Sequence, residues 1–245
     1  MARDSYAINR FGMGISMDKK AIVFDMDGVI FDTEKLVIDC WEKVGKRYGL
    51  SGIRETFIRC IGTTRVKTQE IVFETYGKDF DYDKYSAEAS VYFHEATDIP
   101  GIPIKRGVRE LLAYLKEKQV PLGLASSTRL AVVEEELKQA GLYHYFSVVV
   151  GGDLLKRSKP EPDIYLMACE KMRVAPKDAY AIEDSYNGIR SAYAAGMTPI
   201  MVPDMLEATE EMRQKSLVVL NDLLQVRDWF EALDMKKGMK ACGIS

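Results

Sequence analysis

The sequence predicts an α/β fold in which a parallel sheet is interrupted, after its first strand, by a block of helices. Three observations carry this. A short apolar run at 21–24 leads straight into a pair of carboxylates, the pattern of a buried parallel strand that opens onto a site. From Gly107 onward apolar runs alternate with helical stripes, as they do when the strands of one sheet are joined by helices. Between these two regions, apolar residues recur at helical spacing and strand-like alternation is weak.

Taken in order, residues 1–16 show no periodicity and read as a leader outside the fold, disordered or foreign to it, with Met17 as a second natural start. The first strand runs into Asp25-Met26-Asp27-Gly28-Val29. Residues two apart on a strand face the same way, so Asp25 and Asp27 repel unless a cation lies between them or one keeps its proton. A solvated turn is the competing reading of the same residues. Val37, Trp41, Val44 and Tyr48, and then Tyr85, Ala89, Tyr92 and Ala96, stripe the helices of an insert over 34–101. It is entered through Phe31-Asp32-Thr33 and left through 99–103, two connectors that form a hinge.

Val108, Leu111, Leu112 and Leu115 stripe a helix before the strand at 120–125, which ends in Ser126-Ser127-Thr128. Leu130, Val133, Leu137 and Ala140 stripe the next helix, closed by Gly141. A strand at 147–150, a basic loop through Lys159 and a helix opened by Pro162 follow. The strand at 179–182 ends in Glu183-Asp184-Ser185, and 200–202 is the fifth strand. A strand at 217–220 and a helix bearing Leu223, Val226, Phe230 and Leu233 complete the sheet domain. That domain is expected at 17–33 and 102–235, with 236–245 as a tail.

The 245 residues carry 34 Lys and Arg against 37 Asp and Glu, a formal charge of -3. No basic block tracks a nucleic-acid backbone. No apolar run reaches membrane-spanning length and the first residues lack the apolar core of a signal peptide, so the expected setting is cytoplasmic. Cys40, Cys60, Cys169 and Cys242 have neither paired spacing nor the density of a disulfide scaffold and read as free thiols. His94 and His144 are the two histidines, too few for a histidine-rich zinc site.

Three strand ends thus carry chemistry: Asp25 with Asp27, Ser126 with its neighbours, and Glu183 with Asp184, with Lys159 in a loop between the last two. Strand ends of a parallel sheet share one rim, so these groups can converge. Together they suit phosphoryl transfer. One carboxylate attacks phosphorus, a second protonates the leaving oxygen, Mg²⁺ and lysine offset the charge on phosphate, and a hydroxyl completes the anion clamp.

At this point the chain resembles the haloacid dehalogenase superfamily, in the branch of phosphoglycolate phosphatases, hexose or hexitol phosphate phosphatases and β-phosphoglucomutase. The likeness rests on D-x-D-G-V at 25–29, Ser126 after an apolar strand, S-K-P-x-P-D at 158–163 and E-D-S-x-x-G-I at 183–189, in family order. It implies a doubly wound, Rossmann-like parallel sheet core with an inserted small helical cap domain. It also implies Asp25 as nucleophile and Mg²⁺ ligand, and Asp27 as acid/base that offers its backbone carbonyl to the metal. Asp184 would be the second metal carboxylate, with Glu183 ligating or bracing. Ser126 and Lys159 would hold the phosphate.

The resemblance also places Thr33 where it aligns the acid/base, Arg65 on the substrate side of the cap, and Thr128 and Arg129 where a second anion is held. A surface arginine is the plainer reading of Arg65, and a solvent-facing ring that of His94. Val37 and Leu130 replace polar groups that β-phosphoglucomutases carry, and His94 falls where they have a lysine. The loss of polar cap contacts favours hydrolysis over mutase chemistry. The expected partner is a small phosphorylated metabolite, a sugar or sugar-alcohol phosphate; the sequence leaves the oligomeric state open, with a monomer favoured. A non-catalytic receiver-like phospho-acceptor would share the acidic pocket, hydroxyl and lysine, but needs neither the insert nor Asp27.

Overall fold

The computed structural model describes residues 21–61, 63, 65–98 and 101–241. Its sheet has the order β3-β2-β1-β4-β5-β6, every neighbouring pair parallel. The strands are β1 (Ala21–Phe24), β2 (Leu122–Ser126), β3 (Val148–Gly151), β4 (Ala179–Glu183), β5 (Thr198–Met201) and β6 (Val218–Val219). The chain steps outward from β1 through β2 to β3, then returns to the other side of β1 with β4. Strand order therefore reverses between β1 and β4, the position at which open α/β sheets form a crevice beyond their carboxyl ends.

Residue size along the central strands sorts the helices. Ile22, Phe24, Leu122, Leu124 and Ile182 face one side and pack against α5 (Val108–Glu117), α6 (Leu130–Gln139) and α10 (Leu223–Ala241). Ala21, Val23, Ala125, Ala179 and Ala181 face the other, where α7 (Asp163–Met172) and α8 (Tyr186–Ala194) lie. The alternation of large and small is the two-residue period of a strand buried on both faces. The short α9 (Glu210–Lys215) packs Met212 against Met201 of β5 and Ile189 of α8.

The insert consists of α1 (Glu34–Tyr48), α2 (Ile53–Ile58), α3 (Arg65–Tyr76) and α4 (Tyr82–Thr97). These share a hydrophobic cluster of their own. Trp41 lies at its centre, 3.9 Å from the Phe57 ring and 4.8 Å from that of Tyr85. Tyr85 also donates its buried hydroxyl to the Trp41 carbonyl at 2.7 Å. The hinge is a small antiparallel ribbon: Asp32 N–H bonds Pro103 O, and Lys105 N–H bonds Ile30 O. Ile99 and Pro100, part of the expected exit, lie outside the described residues, as do the leader and Cys242. Cys40, Cys60 and Cys169 are free thiols.

Element ends shift by one or two residues from the sequence expectation, and α10 continues to Ala241 through the stretch expected as a tail from 236. No helix among the described residues is long and apolar enough to cross a membrane. Gly107 joins the sheet domain to the hinge at φ +87, and a Cβ there would overlap the backbone at Leu224. Gly107→Ala is expected to cost roughly 2 kcal/mol or more, from left-handed strain and displacement of α10. A urea midpoint equal to the parent's would refute that close approach.

Candidate active site

The turn after β1 places the first two carboxylates. Asp25 N–H continues the ladder to Ile182 O at 2.9 Å, and the Met26 carbonyl accepts from Ile30 and Phe31. Met26 itself is fully buried in the core. With Met26 turned inward, Asp25 and Asp27 both face a cavity of about 380 Å³ between the sheet edge and the insert. Gly28 (φ +77) closes the turn, and a Cβ there would run into the Asp184 carboxylate. Only glycine allows these two loops to approach so closely.

Lys159 lies at the centre of the charged part. The residue is 4% exposed, and its ammonium reaches Asp25 Oδ1 at 2.7 Å and Glu183 Oε1 at 2.6 Å. Burial disfavours the charge, but Asp25 and Glu183 outweigh it and hold Lys159 above the ordinary lysine range. Glu183 is saturated: besides Lys159 it accepts from Tyr165 at 2.7 Å and from the Ser185 hydroxyl and N–H. Gly188 in the first turn of α8 leaves room for that carboxylate, which a Cβ would overlap. Lys159, Tyr165 and Ser185 thus fix the orientation of the Glu183 carboxylate.

Asp25, Glu183 and Asp184 can offer oxygens within 4.8 Å of one another. Asp184 Oδ1 is buried and meets no donor among the described residues. Burial and the Glu183 charge push Asp25 up to about 8, against the pull of Lys159. Burial, with the Glu183 and Asp25 charges, drives Asp184 in the same direction. Carboxylates that bind protons so tightly, with one oxygen orphaned, fit a hard divalent cation with oxygen ligands.

Asp27 is held in a different way. Its side chain lies outside the carboxylate group and is ringed by hydroxyls: Thr33 donates to Oδ1 at 2.8 Å, and Thr128 and Ser126 to Oδ2 at 3.0 and 3.4 Å. Asp25 faces an ammonium, and Asp27 faces three hydroxyls.

Of the residues expected at the site, Thr33, Arg65, Thr128, Arg129, Lys159 and Asp184 line the cavity with the two aspartates. Ser126 is fully buried, accepting the Thr128 N–H, and Ser127 lines the cavity. Thr128 directs its hydroxyl to Asp27. Arg65 opens α3 at the mouth, exposed and paired with Asp83. His94 is exposed on α4, beside Phe93.

Three residues escaped the sequence reading. Glu34, the first residue of α1, lines the cavity and is pushed up to about 8 by burial and by Asp27, Asp204 and Asp25. Tyr165 orients Glu183 from within α7. Glu136, on α6, faces a second cavity of about 240 Å³ on the other side of Asp27.

Over residues 22–202 the chain matches the family described as haloacid dehalogenase-like hydrolase. The chain belongs to that family. Among the hydrolase's relatives, a phosphorylated carbohydrates phosphatase of Thermotoga maritima is 32% identical over 74% of this chain and 83% of its own length. A β-phosphoglucomutase of Bacillus subtilis is 31% identical over 82% and 92%. The crystal structure of CbbY from Rhodobacter sphaeroides in complex with phosphate superposes with a TM-score of 0.70 at 28% identity, covering 84% of the hydrolase and 96% of that chain.

Glu136 gives the hydrolase a measurable signature. Burial, then the Asp27 and Glu135 charges, raise its carboxyl from 4.5 to about 8. A carboxyl raised in this way supports folding below its ordinary pKa and loses that contribution as pH rises through the folded value. Glu136→Gln is therefore expected to match the parent near about pH 4 and exceed it by about 1–2 kcal/mol near about pH 8, after screening by water in the open cavity. Urea unfolding at both pH values checks this; an identical difference at both would overturn it.

Proposed function

We propose that this hydrolase is a Mg²⁺-dependent phosphatase that cleaves a small sugar or sugar-alcohol phosphate through an aspartyl-phosphate on Asp25. The observation that supports it most is the opposite setting of two carboxylates two residues apart. Asp25 faces the Lys159 ammonium inside a buried acidic group, and Asp27 is held by hydroxyls at its edge. Neighbouring carboxylates in contrasting environments take separate roles in acid–base and nucleophilic chemistry.

In this reading Asp25 attacks phosphorus and the bond to the leaving oxygen breaks, while Asp27 delivers its proton to that oxygen. Thr33 and Thr128 keep Asp27 aimed during the transfer. In the second half Asp27 takes a proton from water, whose oxygen attacks the same phosphorus and frees Asp25 with release of phosphate. Lys159 and the 126–128 turn hold the phosphate oxygens. Mg²⁺, held by Asp25, Asp184 and the Asp27 carbonyl with Glu183 as brace, would neutralise charge on the transferring group. Arg65 and Arg129 offer cationic contacts at the mouth, and α1–α4 exclude water from the leaving group.

The mutase reading draws support from the Bacillus subtilis relative. Against it, Val37 gives the cavity an apolar wall and His94 lines neither cavity. Incubation with β-glucose 1-phosphate separates the two, because a mutase forms glucose 6-phosphate with little free phosphate.

With Mg²⁺ the protein is expected to hydrolyse p-nitrophenyl phosphate, to stop on addition of EDTA, and to lose at least about a thousandfold in kcat with Asp25→Asn. Turnover that survives either treatment would sink the mechanism. Asp27→Asn is expected to slow alkyl phosphates at least about tenfold more than p-nitrophenyl phosphate, whose leaving group needs no proton. Equal losses on both would remove Asp27 from the acid role.

A further inference from the structure

Two cavities meet at Asp27, and their linings differ in charge. The larger carries Lys159, Arg65 and Arg129 along with the acidic group. The smaller, between α1, α4 and α6, contains no lysine or arginine among its lining residues. Its polar groups are Asp27, Thr33, Thr128, the Glu136 carboxyl, and Ser86 and Ser90 on one face of α4; Val37, Trp41 and Phe93 supply apolar wall. Glu136 receives no hydrogen bond from any described residue, and its only close electrostatic neighbours are the carboxylates Asp27 and Glu135. A carboxyl kept without a partner at a protein–cavity boundary is destabilising, and such groups are retained where a ligand completes them.

The direction of the chemistry says which part of a substrate arrives there. Attack by Asp25 expels the leaving oxygen on the opposite side of phosphorus, toward the group that protonates it. The alcohol attached to that oxygen then extends past Asp27, into the space that Glu136 faces.

We infer that Glu136 is a specificity residue of this site, accepting hydrogen bonds from hydroxyls of the leaving alcohol in the 240 Å³ cavity beyond Asp27. This deepens the phosphatase reading and rests on it. The substrate class that fits is a phosphate monoester whose leaving part is neutral and rich in hydroxyls. A second phosphate or a carboxylate on that arm meets no cation there, only Asp27 and Glu136. The apolar faces of Trp41 and Phe93 suit the C–H side of a polyol, as Ser86 and Ser90 suit its hydroxyls.

The decisive comparison is glucitol 6-phosphate against hexyl phosphate, two six-carbon alkyl esters that differ in their hydroxyls. The parent is expected to prefer the polyol ester in kcat/KM. Glu136→Ala is expected to shrink that preference at least about tenfold, chiefly through KM for the polyol ester, with Glu136→Gln restoring part of it. An unchanged preference in the alanine variant, or a parent that favours hexyl phosphate, overturns the assignment. Hydrolysis of p-nitrophenyl phosphate by the same preparations separates the two levels: if the parent cleaves it and the preference does not respond, Glu136 alone is wrong. If the parent cleaves no phosphate ester, the phosphatase reading falls, and this inference falls with it.

Discussion

The site depends on one buried ammonium. Lys159 lies between Asp25 and Glu183, with all three groups almost fully removed from water. An isolated buried ion costs several kcal/mol, so none of the three could stay charged there alone. Their mutual placement requires β1 and β4 to be neighbours, with Phe24 beside Ile182, so that the next residues on both strands emerge together. It requires α7 to present Tyr165 to Glu183, and α8 to open with Gly188, where a side chain would collide with that carboxylate. The charge balance is still unequal. The ammonium pairs with Asp25 and Glu183 but not with Asp184, and the three carboxylates could together hold a further cation.

The same turn separates Asp27 from that balance. Met26 is buried in the core, and its carbonyl anchors the return of the chain at Ile30 and Phe31. The two aspartates therefore share a face without sharing partners. Hydroxyl donors come to Asp27 from two separate segments: Thr33 at the entry to the insert, and Ser126 and Thr128 in the turn after β2. Asp27 is thus held by neutral donors where Asp25 is held by an ammonium.

Much of this arrangement was legible in the sequence because it follows from local rules. Apolar runs that stop at carboxylates or hydroxyls marked β1, β2 and β4, and a parallel sheet puts such ends on one rim. The helical stripes over Val37–Tyr48 and Tyr85–Ala96 announced α1 and α4. The six residues of α2 were too few to display a period, and α3 buries only Ile71 and Val72. What spacing could not reveal was the partner of each polar group. The hydroxyls of Ser126 and Thr128 meet Asp27, a contact between residues about a hundred positions apart that no local spacing encodes. Glu34 and Glu136 are invisible for another reason: a glutamate on a helix reads as solvated until tertiary packing covers it.

The insert enters after Asp32, and that position has a physical consequence. The hinge ribbon at 30–32 and 103–105 is held by backbone hydrogen bonds, and Lys105 ties it to Asp204 at 2.5 Å in the loop after β5. From that same loop Met205 packs into the hydrophobic cluster of α1–α4. The helices thus touch the sheet domain at a second place besides their own connectors, both at the carboxyl edge. Rotation of α1–α4 about the ribbon would leave β1 and β4 in register and the Lys159 group intact, because none of its hydrogen bonds comes from the insert. What would change is the wall that Trp41 and Val37 give to both cavities. The fold thus draws the carboxylate and ammonium groups from the sheet, and part of the wall of both cavities from the insert.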